Sequence, residues 1–386
     1  MASTQDRSLG HEDYLLKAYD WNVFMICFIW DGFPQYAARC VGAFVRASGE
    51  SVVVVATRPK VPIEGMENVC GCPVHWVDLC EKRSLGAILG EVPRVAIVSG
   101  WFSSLFNRWR DEVRFHGGKA VAMCDNNWMG WSLREFVKAV RFRLLFRNRY
   151  DGFFVPGKSG VKLLQFYGVE RGQIENGMYS ADASVFHDGK PLPKREKKII
   201  FVGQFIERKN VRRLVEAFYR ARCEVESGSG WVLELYGSGS MRDELINLAS
   251  TLNSQLVTLN SRISVNDFVQ PEQLAFLYQS ARIFCLPSLW EHWGVVVHEA
   301  ALSGCVLLLG NRMGAANDLL TEGENGWTFD PYDVGEMAQK MKWAMGADDA
   351  TLSAMQAESL RMAKTVSLVN FVRACEHFAD EKWDRS

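Results

Sequence analysis

The chain carries no excess of either charge. Its 44 Lys and Arg stand against 45 Asp and Glu, a net of −1, so no whole-chain basic field is available to hold nucleic acid. Long apolar runs are missing too: the longest clean one, VFMICFIW at 23–30, falls far short of the ~20 residues that span a bilayer. The amino-terminal MASTQDRSLGHEDYLLK is polar and has no apolar stretch ending in a small-residue cleavage site, so no secretory signal is expected. Paired cysteine ligands are also absent. The ten cysteines scatter mostly through apolar segments, the pattern of reduced thiols in an intracellular protein. Cys70-Gly-Cys72, with His75 and Cys80 nearby, lacks the second ligand pair of a structural zinc site. The expectation is a soluble cytoplasmic protein with no metal and no nucleic-acid partner.

What the chain does have is material for large interiors. With 386 residues, 48% of them hydrophobic, it is too long for one ordinary core and suits two domains. Short apolar runs alternate with amphipathic helical segments throughout. VFMICFIW (23–30), SVVVVAT (51–57), VHWVDL (74–79), RVAIVSG (94–100), KAVAMC (119–124) and GFFVP (152–156) read as buried strands of a first half. IIFVG (199–203), WVLELYG (231–237), RIFCLP (282–287) and CVLLLG (305–310) restart the rhythm in a second. Near-continuous apolar strands separated by helices predict parallel sheets covered on both faces, hence two doubly wound α/β domains facing a ligand cleft. The predicted layout is an amino-terminal domain over 1–186, a solvated linker over 187–198 (HDGKPLPKREKK), a second domain over 199–365, and a helical tail over 366–386 that packs back on the first domain.

Three patterns bear on chemistry. Gly152 to Ser159 satisfies G-x-x-x-x-G-K-[ST], which would make Lys158 the lysine of an ATP-using phosphate loop. Against that, the spacer FFVP reads as strand, and its proline has no amide to offer. Gly237-Ser-Gly239 after WVLELY is half a dinucleotide fingerprint, placed to line a phosphate or sugar. The segment PSLWEHWGVVVHE (287–299) sets Glu291 in a loop at a strand end and Glu299 on the helix that Gly294 opens. The first amides of that helix, at Val295 and Val296, make a ready anion site. Two carboxylates flanking such a site suit a nucleotide sugar, one for sugar hydroxyls and one for the ribose. GQFIERKN (203–210) adds Arg208 and Lys209 at a strand-to-helix turn, where they could neutralise a departing diphosphate without metal.

FVGQFIERKNVRRLVEAF (201–218), LYGSGSMRDEL (235–245), QPEQLAFLYQSARIFCLPSLWEHWGVVVHEA (270–300) and GAANDLLTEGENGWTFDPYD (314–333) together resemble the donor half of a family 4, GT-B glycosyltransferase. CDNNW (124–128), FFVPGKSG (153–160) and ENGMYSADASVF (175–186) resemble the other half more loosely. The resemblance implies a retaining transferase that moves a sugar from a UDP- or GDP-linked donor to a glycan, lipid-linked or lipopolysaccharide-type acceptor. It implies no cofactor beyond the nucleotide sugar itself, which acts as co-substrate. Lys209 and Arg208 would hold the diphosphate, Glu299 the ribose, and Glu291 the sugar hydroxyls. Gly203, Gln204, Gly237 and the backbone of Trp293, Gly294, Val295 and Val296 would line the donor, with Phe268 and Val269 at the base. Many relatives carry Arg at the position of Gln204, and a cleft histidine where this chain has Asp125, Asn126 and Asn127. Asp125, Asn126 and Tyr36 are the acceptor-side candidates. In the family, the leaving phosphate is thought to take the acceptor's proton. A nucleotide-sugar-binding protein with an inactive cleft is the non-enzymatic alternative.

Residues 131–150 concentrate Arg134, Lys138, Arg141, Arg143, Arg147 and Arg149 against Glu135, beside an apolar stripe of Leu133, Val137, Val140 and Leu144. Such a helix either lies on an anionic membrane surface, here the inner face, or packs its stripe on the domain and solvates its charges. The 13 tryptophans include Trp290 and Trp293 beside Glu291, and Trp101, Trp128 and Trp131 after first-half strands. Cleft aromatics can stack on sugar faces, with core packing as the alternative.

Overall fold

A computed structural model describes residues 24–59, 66–224, 230–256, 260–380 and 383. The polar amino-terminal stretch and Val23 lie outside the described residues. Strands β1 (Met25–Trp30), β2 (Ser51–Ala56), β3 (Val74–Trp76), β4 (Val95–Ser99), β5 (Lys119–Met123), β6 (Gly152–Val155) and β7 (Ile174–Asn176) form one sheet in the order β3-β2-β1-β4-β5-β6-β7. Strands β8 (Glu196–Val202), β9 (Val232–Tyr236), β10 (Arg262–Asn266), β11 (Ala281–Leu286), β12 (Val306–Gly310) and β13 (Gly326–Phe329) form the other, ordered β10-β9-β8-β11-β12-β13. Every pairing is parallel. Strands such as VVVVA and VLLLG can be apolar at successive positions because both faces are covered. Ile26 and Phe28 of β1 pack into one core, while Cys27 and Ile29 pack into another on the opposite face. Both sheets reverse direction of growth beside their first strand, between β1 and β4 and between β8 and β11, so the loops after these strands define the cleft.

Three strands absent from the sequence reading, β7, β10 and β13, all lie at sheet edges. The segment 187–198 is also less solvated than its composition suggests. Leu192 is buried, and Arg195 is buried with its guanidinium donating to the carbonyls of Lys190 (2.7 Å), Tyr278, Ala281 and Ser303 (2.8 Å). A planar five-donor group can satisfy several carbonyls at once, which is what makes burying it tolerable. The connection is therefore fastened to the second domain. The carboxyl-terminal helix Leu368–Ala379 returns to the first domain, where Phe371 meets Phe28 and Phe154 at ring distances of 5.9 and 5.3 Å.

The two crossings between domains meet at one side chain. The buried His298 accepts from the Ala181 amide at Nδ1 (2.9 Å), so its Nε2 carries the proton and donates to the Ala363 carbonyl (2.9 Å). Burial pushes this imidazole down to about 4, so it stays neutral.

The segment resembling a phosphate loop is built otherwise. Its spacer is β6, and Lys158 begins the helix Lys158–Phe166. The Lys158 amide donates 3.1 Å to the carboxylate of Asp318, which reaches over from the second domain. A Cβ on Gly157 would fall 1.9 Å from that carboxylate. An aspartate thus fills the place that a phosphate would need, which overturns the ATP-using alternative.

Candidate functional site

The carboxyl ends of β8 and β11 bring Lys209, Arg208 and Glu291 together. Leu289 donates its amide to the Arg208 carbonyl (2.9 Å), so the two loops are stitched before any side chain is considered. Asn210, in the left-handed conformation at φ 58°, donates its amide group to the carbonyls of Pro287 (3.1 Å) and Pro331 (2.7 Å). Asparagine tolerates that backbone region better than most residues. It pins the residue next to Lys209 against the strand end that leads to Glu291. Sequence reasoning passed over Asn210, although an Asn at the close of a one-turn helix is a usable signal.

One Glu291 carboxylate oxygen accepts from Arg208 Nη1 (2.8 Å) and the other from Lys209 Nζ, with Ser288 Oγ at 3.3 Å. Lys209 is only 9% exposed. Burial works to raise the Glu291 carboxyl, but Lys209 and then Arg208 outweigh it and hold the group below its ordinary value. Burial lowers the Lys209 ammonium, and Glu291 only partly offsets this. Glu291, held low by the two cations, is ionised near neutrality. Two cations against one carboxylate leave a positive centre at the cleft mouth. Arg208 also lies over the Trp290 ring, 4.8 Å from its centroid.

Gly294 sits at φ 94° as the cap of the helix Val295–Leu302, a backbone region that suits glycine. Its missing Cβ leaves room for the Glu291 side chain, whose Cγ would be 3.3 Å away. Gly237 serves a different need: a Cβ there would fall 1.9 Å from the Gly203 carbonyl, so the ends of β8 and β9 can close up only around glycine.

Between the domains, a cavity of about 500 Å³ is lined by Gly203, Gln204, Arg208, Lys209, Gly237, Phe268, Val269, Val296 and Glu299 from the second domain and by Tyr36 and Arg39 from the first. Burial pushes the Glu299 carboxyl up to about 7, against the opposing effects of the Tyr278 hydroxyl (3.2 Å) and Arg39. Arg39 bridges the cleft, pairing with Asp182 (3.1 Å) and with Glu272 of the second domain (2.9 Å). Nothing in its sequence context singled it out.

On the first-domain side, Asp125 and Asn126 follow β5 and share with Tyr36 a second cavity of about 520 Å³. Tyr36 packs edge-on against Tyr179, at a ring distance of 5.2 Å. Where relatives place a histidine near Asp125, this fold supplies one from the opposite domain: His292 Nδ1 lies 3.7 Å from Asp125. Asn127 donates to the Glu291 carbonyl (2.5 Å), which ties the first domain to the Glu291 loop. Trp293 is buried, and its indole donates to Asp318 (2.9 Å). Trp101 is buried as well, while Trp290 and Trp131 are exposed, so only some of the tryptophans are core residues. Among the described residues, no group of three His, Cys, Asp or Glu side chains could hold a metal.

The two doubly wound domains around this cleft form the GT-B fold of nucleotide-sugar glycosyltransferases. Residues 183–358 match the family model described as glycosyl transferases group 1. Among solved structures, a glycosyltransferase from Rickettsia africae ESF-5 superposes with a TM-score of 0.70 at 11% identity, covering 95% of this chain and 100% of that one. Anabaena HepE in complex with UDP gives a TM-score of 0.70 at 11% identity over 91% and 98%. The alpha-1,3/1,6-mannosyltransferase alg-2 of Neurospora crassa is 26% identical over 43% of this chain and 38% of its own length. The chain thus spans well under two thirds of that relative.

Proposed function

We propose that the protein is a retaining, family 4 glycosyltransferase that moves a sugar from a UDP- or GDP-linked donor to a glycan or lipid-linked acceptor. The observation that carries this reading is the convergence of Lys209 and Arg208 on Glu291 at the mouth of a cavity that also holds Glu299. The donor's diphosphate lies against the two cations and the free amides at the start of the helix Val295–Leu302. Glu299 accepts from the ribose hydroxyls, and Phe268 and Val269 border the base. Glu291, held ionised, accepts from hydroxyls of the sugar. The acceptor hydroxyl attacks the anomeric carbon from the face the diphosphate leaves. The carbon–oxygen bond to phosphate breaks, and the proton passes to the departing phosphate oxygen. Lys209 and Arg208 supply the charge that a divalent ion would otherwise bring, so no metal is required. The UDP held by Anabaena HepE supports a nucleotide donor.

The test is release of UDP or GDP across a panel of nucleotide sugars, with EDTA present. Activity should survive the chelator and fall at least ~100-fold in Lys209→Ala and Glu291→Ala, the scale of losing one charge-stabilising group. Full activity in both variants, or dependence on Mg²⁺, would sink the reading.

The helix Leu133–Leu145 buries Ala139 and Phe142 and turns the apolar stripe outward, with Leu133 81% and Leu144 78% exposed. No described helix is long and apolar enough to cross a membrane. An outward apolar stripe bordered by cations supports peripheral attachment to an anionic membrane surface, the inner face in the reading above.

A further inference from the structure

The cations of that helix do not all serve the surface. Arg143 is occupied by the carbonyls of Tyr167 (3.0 Å) and Phe166 (2.9 Å), and Arg147 pairs with Glu170 (3.5 Å). Lys138 is shared with Glu135 (3.0 Å). Arg134 and Arg141 have no hydrogen-bond, ion-pair or ring partner among the described residues. Together with Lys138 and Arg312, they line a third cavity, of about 730 Å³, whose far wall is Trp290, Glu291 and His292. This cavity lies between the helix and the Glu291 carboxylate, and it is separate from the one that holds Glu299. On the other side of Arg141 runs an almost wholly apolar groove of about 420 Å³, bordered by Phe136, Val137, Val140, Leu144 and Leu145. Arg141 lines both.

We infer that this cavity is the acceptor site and that it selects an anionic amphiphile: a lipid whose phosphate is read by Arg134 and Arg141, with the sugar-accepting end directed at Glu291. Exposed, unpaired guanidiniums at the rim of an open cavity are matched by phosphate oxygens, which they can hold through two parallel hydrogen bonds. The groove beyond Arg141 takes the first part of the hydrocarbon chain, whose burial strengthens binding with each methylene covered. A free sugar or neutral glycan would leave both guanidiniums unpaired and the groove wet. The assignment rests on the glycosyltransferase reading for the meaning of "acceptor", but the binding it predicts can be measured without turnover.

Dodecyl phosphate, dodecyl maltoside and inorganic phosphate, all below micellar concentration, can be titrated into the full chain while following the tryptophan fluorescence to which Trp101 and Trp290 contribute. Dodecyl phosphate should bind at least tenfold tighter than either of the others. The double variant Arg134→Gln/Arg141→Gln should lose at least tenfold in affinity for it, while UDP and GDP bind as to the wild type. Equal binding of dodecyl maltoside, or no loss in the double variant, would overturn the phosphate assignment. Inorganic phosphate binding as tightly as dodecyl phosphate would overturn the role of the groove. Failure of UDP and GDP to bind the wild type would count against the donor reading and leave these outcomes separately decidable.

Discussion

In the proposed reading, Glu299 is the residue whose ionisation governs donor binding. A carboxyl held near 7 is mostly protonated at pH 6 and mostly ionised at pH 8, and only the ionised form can accept from both ribose hydroxyls. If that form alone binds, affinity for a nucleoside diphosphate should rise about tenfold between those pH values. In Glu299→Gln the affinity should be weaker and flat over the same range. Calorimetric titration at the two pH values checks this, and a flat wild-type profile would refute it. The linked effect on stability has a definite sign. Because the folded value is raised above the unfolded 4.5, the fold retains a proton that the unfolded chain releases. Stability is therefore lost as pH climbs from about 4.5 to 7, and the penalty persists above 7. Glu299→Gln should accordingly gain melting temperature over the wild type at pH 8 and not at pH 4.5. At this scale part was legible from sequence: Glu291, Arg208 and Lys209 were each expected at strand ends, for a sugar and a diphosphate rather than for one another. Asn210, Arg39 and Asp318 were not, because each acts through contacts with residues 77 or more positions away, and a local pattern carries no trace of such a partner.

Among the elements, the strands read correctly are the interior ones, where covering on both faces forces apolar runs. The missed strands IEN, RISVN and GWTF lie at sheet edges. There one flank of the ladder has no neighbouring strand, and polar residues are admitted. VHWVDL also read too long, since only Val74–Trp76 of that edge pairs. The basic helix illustrates a different limit. Its periodicity was visible, but periodicity cannot say which of two stripes faces inward, and the larger apolar stripe turned out to be the exposed one. The carboxyl-terminal helix gives a sharper prediction. Phe371 is fully buried between Phe28 and Phe154, so Phe371→Ala should cost about 3–5 kcal/mol. Urea unfolding followed through the first domain measures it, and a loss under ~1 kcal/mol would mean that the helix is not part of that core.

For the whole molecule, the cleft is spanned by polar contacts that include Asn127 to the Glu291 carbonyl, Arg39 to Glu272, and the Lys158 amide to Asp318, which also holds the Trp293 indole of its own domain. Asp318→Ala leaves the buried Trp293 indole without its acceptor, at about 1–3 kcal/mol, and removes the contact to the half-buried Lys158 amide that crosses the cleft. It should widen the unliganded molecule, seen as a larger radius of gyration by small-angle X-ray scattering, with partial recovery when a nucleoside diphosphate is added. An unchanged radius would show that Asp318 does not hold the domains together. His298 adds a constraint of another kind. The polypeptide passes between the domains twice, and this one neutral imidazole clips the two passages side by side. Fastened together at that point, the two passages cannot slide past each other without breaking one of the imidazole's hydrogen bonds. Both cavities are walled by the two domains, so a movement that widened the one holding Glu299 would also part Arg134 and Arg141 from Glu291, and the proposed donor and acceptor sites would open together.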